Sequence, residues 1–297
     1  MNANLHLDAD TRAHLLGAKS DNEESDRAPA RHFMTDDLLD EYRALAALCA
    51  MLSPEDWRRV TTFYGWTPWD EIAHLLYFDE TALVSVTEPE RFARDAAELG
   101  ARTAAGEEIS AIARANYGTL DGPALLVRWR SAHEALVAKL AALDPKARLG
   151  WYGPPMSARS FATARLMETW AHGQDIWDVM CRRRPSSPRS KHIAHLGVNT
   201  FGWTFVNRGL PVPEVTPFVS LTTPDGNTWA WGDVASAHRV SGTAEEFCLV
   251  VTQRRNVSDT ELKYTAGPAA AWLTISQCFA GPPADGPAPG VRHVDYA

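Results

Sequence analysis

Hydrophobic and polar positions alternate in two different rhythms along the chain. Up to about residue 208 the apolar residues recur three or four apart, the spacing of helices with one buried face. Leu38, Leu39, Tyr42, Leu45, Ala46 and Cys49 predict a first helix over about 35–51. Ile72, Leu75, Leu76, Phe78, Ala82 and Leu83 predict a second. Thr67 is placed to cap it, Pro68 suits its first turn and Asp70 completes a capping box. Residues 87–121 are polar and Ala-rich and read as short bridging helices. Leu126, Trp129, Leu136, Val137 and Leu140 predict a third long helix from about Pro123 to Leu143, ended by Asp144-Pro145. A turn-rich stretch from Gly150 to Ser157 leads into a fourth, capped by Ser157 and running to about Met180. Four long helices with connections between them are the pattern of a helix bundle.

After the hinge RRRPSSPRS and a fifth helix over about 190–207, the rhythm shortens. Phe218–Thr222 and Thr228–Trp231 flank the turn residues Pro224-Asp225-Gly226-Asn227 and read as a hairpin. His238–Gly242 and Glu261–Thr265 read as further strands, Thr243–Glu246 as a capping box opening a helix to about Arg255, and Pro268–Phe279 as a last helix. The expected organisation is a disordered leader at 1–33, a helix bundle at 34–208, a small α+β domain at 209–281 and a loose Pro/Gly-rich tail at 282–297.

Composition narrows the function. At 297 residues the chain is long enough for two cores, and 45% hydrophobic with 22% charged residues is ordinary for a soluble protein. A net charge of −8 argues against nucleic acid or an anionic membrane as partner. No run approaches the roughly 18 apolar residues of a membrane span, and the polar N-terminus lacks the apolar core of a signal peptide. The four cysteines are scattered, without a C-x-x-C pair, which fits a reducing cytoplasm.

The chemistry concentrates in METWAHGQDIWDV, Met167–Val179. Glu168 and His172 are four apart and share one helix face, and Asp175 continues the stripe. Met167, Trp170, Ile176 and Trp177 mark the same helix as largely buried, where unpaired polar groups are costly and a metal ion is one partner that removes the cost. His74, in WDEIAHLLYFDE, is the candidate third ligand. Three His/Glu ligands with an open position are what a catalytic zinc or similar divalent ion uses. The bland readings are a helix-surface pair for Glu168 and His172 and a hydrogen-bonded core histidine for His74. Asp175 and Asp79 are candidates to orient a ligand histidine, and Trp170, Trp69 and Phe78 to wall the site. His192 and His195 read as a solvated face, and His133 has no acidic stripe around it. Arg254 and Arg255 fit either a helix end or an anionic ligand. No phosphate-binding loop, dinucleotide fingerprint or nucleophile elbow is present.

A helix bearing His74, a long insertion, then E168-T-W-A-H172-G-Q-D175 and a small α+β domain resembles the mycothiol-dependent maleylpyruvate isomerase family, in its two-domain, mainly actinobacterial branch. The resemblance covers roughly residues 35–280. It implies a DinB-like four-helix bundle followed by an SCP2-like α+β domain. It implies His74, Glu168 and His172 as ligands of a divalent ion, usually zinc, and Arg254, in V251-T-Q-R254, as the arginine that the family needs for activity. It further implies a low-molecular-weight thiol such as mycothiol as co-substrate, and isomerisation of, or thiol transfer to, a small electrophilic substrate. A homodimer stays open. The same three ligands also serve a metal–water hydrolase or lyase. With Asp175 as a fourth ligand, they serve a closed site that only stabilises a binding module.

Overall fold

The computed structural model describes residues 30–292 together with 294 and 296; the leader expected at 1–33 falls almost wholly outside them. Helix α1 spans Ala30–Cys49, α2 Pro68–Thr87, α3 Pro89–Ala104, α4 Ile109–Tyr117, α5 Gly122–Ala141 and α6 Ala158–Val179. The predicted starts of α2 and α6 hold, while α1 begins at Ala30, ahead of the expected residue 35. The Thr67–Asp70 capping box is present at α2, and the Ser157 hydroxyl accepts the Ser160 amide at α6. Asp121 caps α5 through the Ala124 amide.

Helices α1, α2, α5 and α6 pack as the bundle, with α3 and α4 laid against α2. One carboxylate ties all four together. Asp79 on α2 accepts from Tyr42 of α1 at 2.5 Å, Trp129 of α5 at 2.8 Å and Arg165 of α6 at 2.9 Å, and both Asp79 and Arg165 are buried. Asp79 is therefore occupied in the bundle core and orients neither candidate histidine. His133 is a core residue as well, stacked on Tyr42 with ring centroids 4.4 Å apart.

The fifth helix divides at Thr200 into α7, Ser190–Asn199, and α8, Phe201–Asn207. Strands β1 (Arg148–Leu149) and β2 (Met156–Ser157) form a two-residue ladder before α6. The small lobe carries β3 (Phe218–Thr222), β4 (Thr228–Trp231), β5 (Arg239–Thr243) and β6 (Lys263–Tyr264), in the order β4-β3-β5-β6. The hairpin β3–β4 is antiparallel as expected, while β5 runs parallel to β3. Val219, Leu221 and Val240 point from this sheet into the core, beneath helix α9, Ala244–Val251, and α10, Pro268–Ile275, closes the lobe.

Two differences from the sequence reading matter for the site. Helix α9 stops at Val251 rather than Arg255, because Gln253 takes the left-handed conformation at φ 58°. The tail is not loose through residue 292. Its backbone is held by side chains of the lobe, with Gln253 and Asn256 donating to the Ala284 and Pro287 carbonyls at 2.7 and 2.8 Å. A Pro-rich segment is already restricted in φ, so ordering it costs little entropy, and a few such bonds fix it.

Candidate metal centre

Helices α2 and α6 lie side by side, and each presents a polar stripe to the other. On α6 the stripe is Glu168, His172, Asp175 and Asp178; on α2 it is Glu71 and His74. The His172 Nε2 lies 3.3 Å from Glu168 Oε2, and the His74 Nε2 lies 4.0 Å from the same oxygen. The two imidazoles stand 4.4 Å apart, centroid to centroid. Three donors around one ion at about 2.1 Å, in tetrahedral array, are about 3.4 Å from one another. The separations here bracket that value, and all three donors lie within 4.8 Å of one another. Glu168 is 25% exposed, His74 13% and His172 5%, so the donor set is approached from the Glu168 side.

The back of His172 is held by Glu71, one turn before His74 on α2. Glu71 Oε2 lies 2.7 Å from His172 Nδ1, and its carboxylate is fully buried. Placed on Nδ1, the proton between them leaves the Nε2 lone pair facing Glu168, the tautomer a ligand requires. Asp175, expected in that role, instead pairs with Arg254. The available signal was the spacing Glu71–His74, one turn apart on α2.

Electrostatics favour the neutral imidazoles that bind metals. Burial, then the neighbouring Arg254 guanidinium, holds His172 well below the usual imidazole range. Burial and then His172 do the same for His74. Burial, reinforced by Asp175, pushes the Glu71 carboxyl well above the usual carboxylate range.

Arg254 is 3% exposed and fully engaged. Its Nε donates to the Ala171 carbonyl at 3.1 Å and to Asp175 at 3.0 Å, its Nη1 to the Thr252 carbonyl at 2.9 Å, and its Nη2 lies 2.9 Å from Asp175 Oδ2 and 3.5 Å from His172 Nδ1. Arg255 makes a two-pronged pair with Asp178 at 2.7 and 2.9 Å. Neither arginine faces solvent. The left-handed Gln253 just before them is a strained backbone position, worth on the order of 1–3 kcal/mol, kept where the surroundings over-determine it.

A second cluster, Glu71, His172 and Asp175, also brings metal-type donors together. The Arg254 guanidinium already supplies its positive charge. Asp175 is thereby withdrawn from any closed four-ligand sphere with Glu168. His192 pairs with Asp37 at 2.7 Å, and His195 contacts Asn199 and Trp231.

The aromatic wall differs from the expected one. Phe78 does flank His74, at 4.7 Å. Trp170, however, lies under the Arg184 guanidinium, and the Trp69 indole donates to the Leu120 carbonyl, away from the site. Their place is taken by Phe63 and Trp66. Trp66 stacks on His172 at 5.9 Å and sits 5.3 Å from His74, and Phe63 meets His172 edge-on at 5.4 Å. Both belong to the irregular loop 59–66, which has no periodicity for a sequence reading to find.

A helix bundle with a His–Glu–His cluster between two of its helices, followed by a small α+β lobe, is the class of protein this fold defines. The model of the mycothiol maleylpyruvate isomerase N-terminal domain matches residues 38–177, a span that holds His74, Glu168 and His172. Crystal structures of the mycothiol-dependent maleylpyruvate isomerase and of its histidine-to-alanine mutant superpose with TM-scores of 0.51 and 0.54. Each is 13% identical and covers 80% of this chain and 94% of the other, a likeness of fold. Uncharacterized proteins from two strains of Mycobacterium tuberculosis are 42% identical over 255 residues, covering 84% of this chain and 96% of theirs. The chain belongs to the mycothiol-dependent maleylpyruvate isomerase family. Among the described residues no helix is long and apolar enough to cross a membrane.

Proposed function

We propose that His74, Glu168 and His172 hold one divalent ion, zinc by the character of two imidazoles and a carboxylate, and that the centre serves a thiol-dependent isomerase or thiol transferase acting on a small electrophilic substrate. The observation that carries this reading is the convergence of both Nε2 atoms on Glu168 Oε2, with Glu71 behind His172. When bound, the ion would lower the pKa of a coordinated thiol so that it reacts as thiolate at neutral pH. Mycothiol is the co-substrate that the family implies. In isomerisation the sulfur adds to an activated double bond, the former double bond rotates, and the same sulfur leaves, so the thiol is returned unchanged. In transfer the sulfur stays and the adjoining carbon takes a proton.

The chain's own residues supply the setting. Glu71 keeps the proton on Nδ1 of His172 and fixes the ring. Phe63, Trp66 and Phe78 exclude bulk water from the donor side. Arg254, which the resemblance marks as needed for activity, has its guanidinium committed to Asp175 and two carbonyls; in our reading it is a positioning residue that holds the His172 turn of α6. Four free cysteines, three of them buried, suit a reducing cytoplasm.

Metal analysis of the purified protein, its His74→Ala and its His172→Ala tests the reading. Near-stoichiometric zinc in the wild type and its loss in both variants are expected, together with turnover that requires mycothiol over glutathione. Undiminished metal in His172→Ala overturns the site. Metal-dependent ester or amide hydrolysis without any thiol replaces the chemistry with that of a hydrolase.

A further inference from the structure

The loop that walls the histidines makes two backbone hydrogen bonds of its own. Thr61 donates its amide to the Trp66 carbonyl at 2.7 Å and Trp66 donates to Phe63 at 2.9 Å, closing a tight turn. Within it Tyr64 and Gly65 take φ of 49° and 71°, two left-handed residues in succession, of which only the glycine does so without strain. Tyr64 is 68% exposed. A strained, exposed turn persists when something outside it holds it in place.

That support comes from the far end of the chain. Arg292 is 93% buried by its 7% exposure, and its guanidinium carbon lies 4.9 Å from the Phe63 ring centre and 5.7 Å from that of Tyr64. Arg254 covers Phe63 as well, at 4.3 Å. A desolvated guanidinium against an aromatic face is among the stronger forms of this contact. Arg292 is anchored by its Nη1, which donates to the Gln253 carbonyl at 2.7 Å. The strained residue next to Arg254 thus receives the tail directly.

The rest of the tail is routed to deliver Arg292 there. Gln253 and Asn256 bind the Ala284 and Pro287 carbonyls, and the Gly290 amide donates to Asp259 at 2.8 Å. Beyond Arg292, Tyr296 donates to Asp178 at 2.7 Å, joining the carboxylate that Arg255 holds. The strap therefore starts on the small lobe, crosses the segment 253–259 and ends on α6 of the bundle.

We infer that the C-terminal strap is part of the site: Arg292 is a positioning residue that holds Phe63, and through it Trp66, against the two candidate metal-binding histidines. The inference rests on the function proposed above for its bearing on the metal, and on the loop contacts alone for the strap itself. Phe63 and Trp66 stand between solvent and the imidazole faces, so a loosened loop uncovers the ion without altering a ligand.

Two measurements on the full chain test it, with Arg292→Ala, Arg292→Lys, Phe63→Ala and a chain ending at Gly290. Hydrogen exchange of the segment 59–66, read by mass spectrometry in the metal-free protein, should quicken at least tenfold in Arg292→Ala and in the shortened chain. Arg292→Lys should restore much of the protection, because a cation over the ring is retained; a role confined to packing of the tail would not discriminate Lys from Ala in this loop. In the zinc-loaded protein, release to a chelator should quicken by a similar factor with zinc stoichiometry unchanged. Phe63→Ala and Arg292→Ala combined should release zinc no faster than the quicker single variant. Unchanged exchange in 59–66 overturns the inference whatever the metal does, and so does independent multiplication of the two effects. A wild type that takes up no zinc, with the exchange result as expected, overturns the proposed function and leaves the strap standing.

Discussion

Replacing Glu71 by Gln probes the geometry behind His172 without touching a ligand. The substitution is isosteric, and its carbonyl oxygen can still accept from Nδ1 at the 2.7 Å position. What is lost is the negative charge that Glu71 carries when the shared proton sits on Nδ1, the form that a cation held at Nε2 would favour against the upward push of burial. A hydrogen bond to an ionised acceptor contributes about 1.5–3 kcal/mol and one to a neutral acceptor about 0.5–1.5 kcal/mol, a difference of about 1–1.5 kcal/mol. At 1.36 kcal/mol per decade this is about a tenfold weakening of zinc binding. Glu71→Ala removes the acceptor altogether and leaves Nδ1–H buried without a partner, which moves the loss toward about 100-fold, the upper end for residues that hydrogen-bond a metal-binding histidine. The removed carboxylate also leaves Arg254 and Arg292 less compensated beside His172, which acts in the same direction.

Competition titration of zinc against a chromophoric chelator, at fixed pH and salt, reads the two affinities. Thermal melts of the metal-free proteins run alongside identify unfolding as a separate cause. Zinc affinity of Glu71→Gln within twofold of wild type refutes the orienting role, as does Glu71→Ala binding as well as Glu71→Gln. Either result would mean that His172 is fixed by the walls of Phe63 and Trp66 alone.

Asp79→Asn should destabilise the bundle by about 3–5 kcal/mol, because Arg165 stays buried while its countercharge is gone, and chemical denaturation of the metal-free protein measures it. His133 is held at about 4 by burial, below an unfolded value of about 6.5, so its contribution to stability is complete above about pH 6.5 and is lost as pH falls toward 4. His133→Phe, which keeps the ring stacked on Tyr42, should remove up to about 3 kcal/mol of that pH dependence, seen as a flatter plot of denaturation midpoint against pH between 4 and 6.5. An unchanged plot assigns the acid sensitivity elsewhere. Arg254→Lys should lower turnover about tenfold or more while zinc content stays stoichiometric, since one ammonium cannot hold Asp175 and two carbonyls in the planar arrangement that Arg254 uses; steady-state kinetics beside metal analysis show whether the two separate.

What the sequence made legible was local. The Thr67–Asp70 box and the Ser157 cap are written in three or four consecutive positions, and the structure uses both. The face shared by Glu168 and His172 follows from helical spacing alone, and the buried residues around it were visible as apolar letters. The role of Glu71 was not, because it depends on which face of α2 meets α6, a contact across 101 positions of chain. Phe63 and Trp66 were hidden for a different reason: a loop with two left-handed residues has no period. The tail misled through composition. Its prolines and glycines read as slack, yet what fixes it is contact with another segment that composition cannot reveal: Gln253 and Asn256 donate to its carbonyls, and its own Arg292 donates to the Gln253 carbonyl. Asp175 was placed on the correct stripe and given the wrong partner, since Arg254 comes from the other lobe.

That last contact bears on why a small lobe accompanies the bundle. Arg254 and Arg255 are consecutive, and they meet Asp175 and Asp178, which are one turn apart on α6. Buried pairs of this kind contribute little net stability, because desolvation offsets most of the attraction, but breaking one leaves an uncompensated charge at a cost of about 3–5 kcal/mol. Their effect is therefore to admit one register of the lobe against the helix and penalise its neighbours. The same Arg254 binds the Ala171 carbonyl and lies 3.5 Å from His172 Nδ1, so the register it selects is also the placement of the His172 turn. The contact that sets the docking of the lobe is thus also a contact of the His172 turn. A substitution at the interface, with every candidate ligand intact, is then expected to register first as a fault in the cluster.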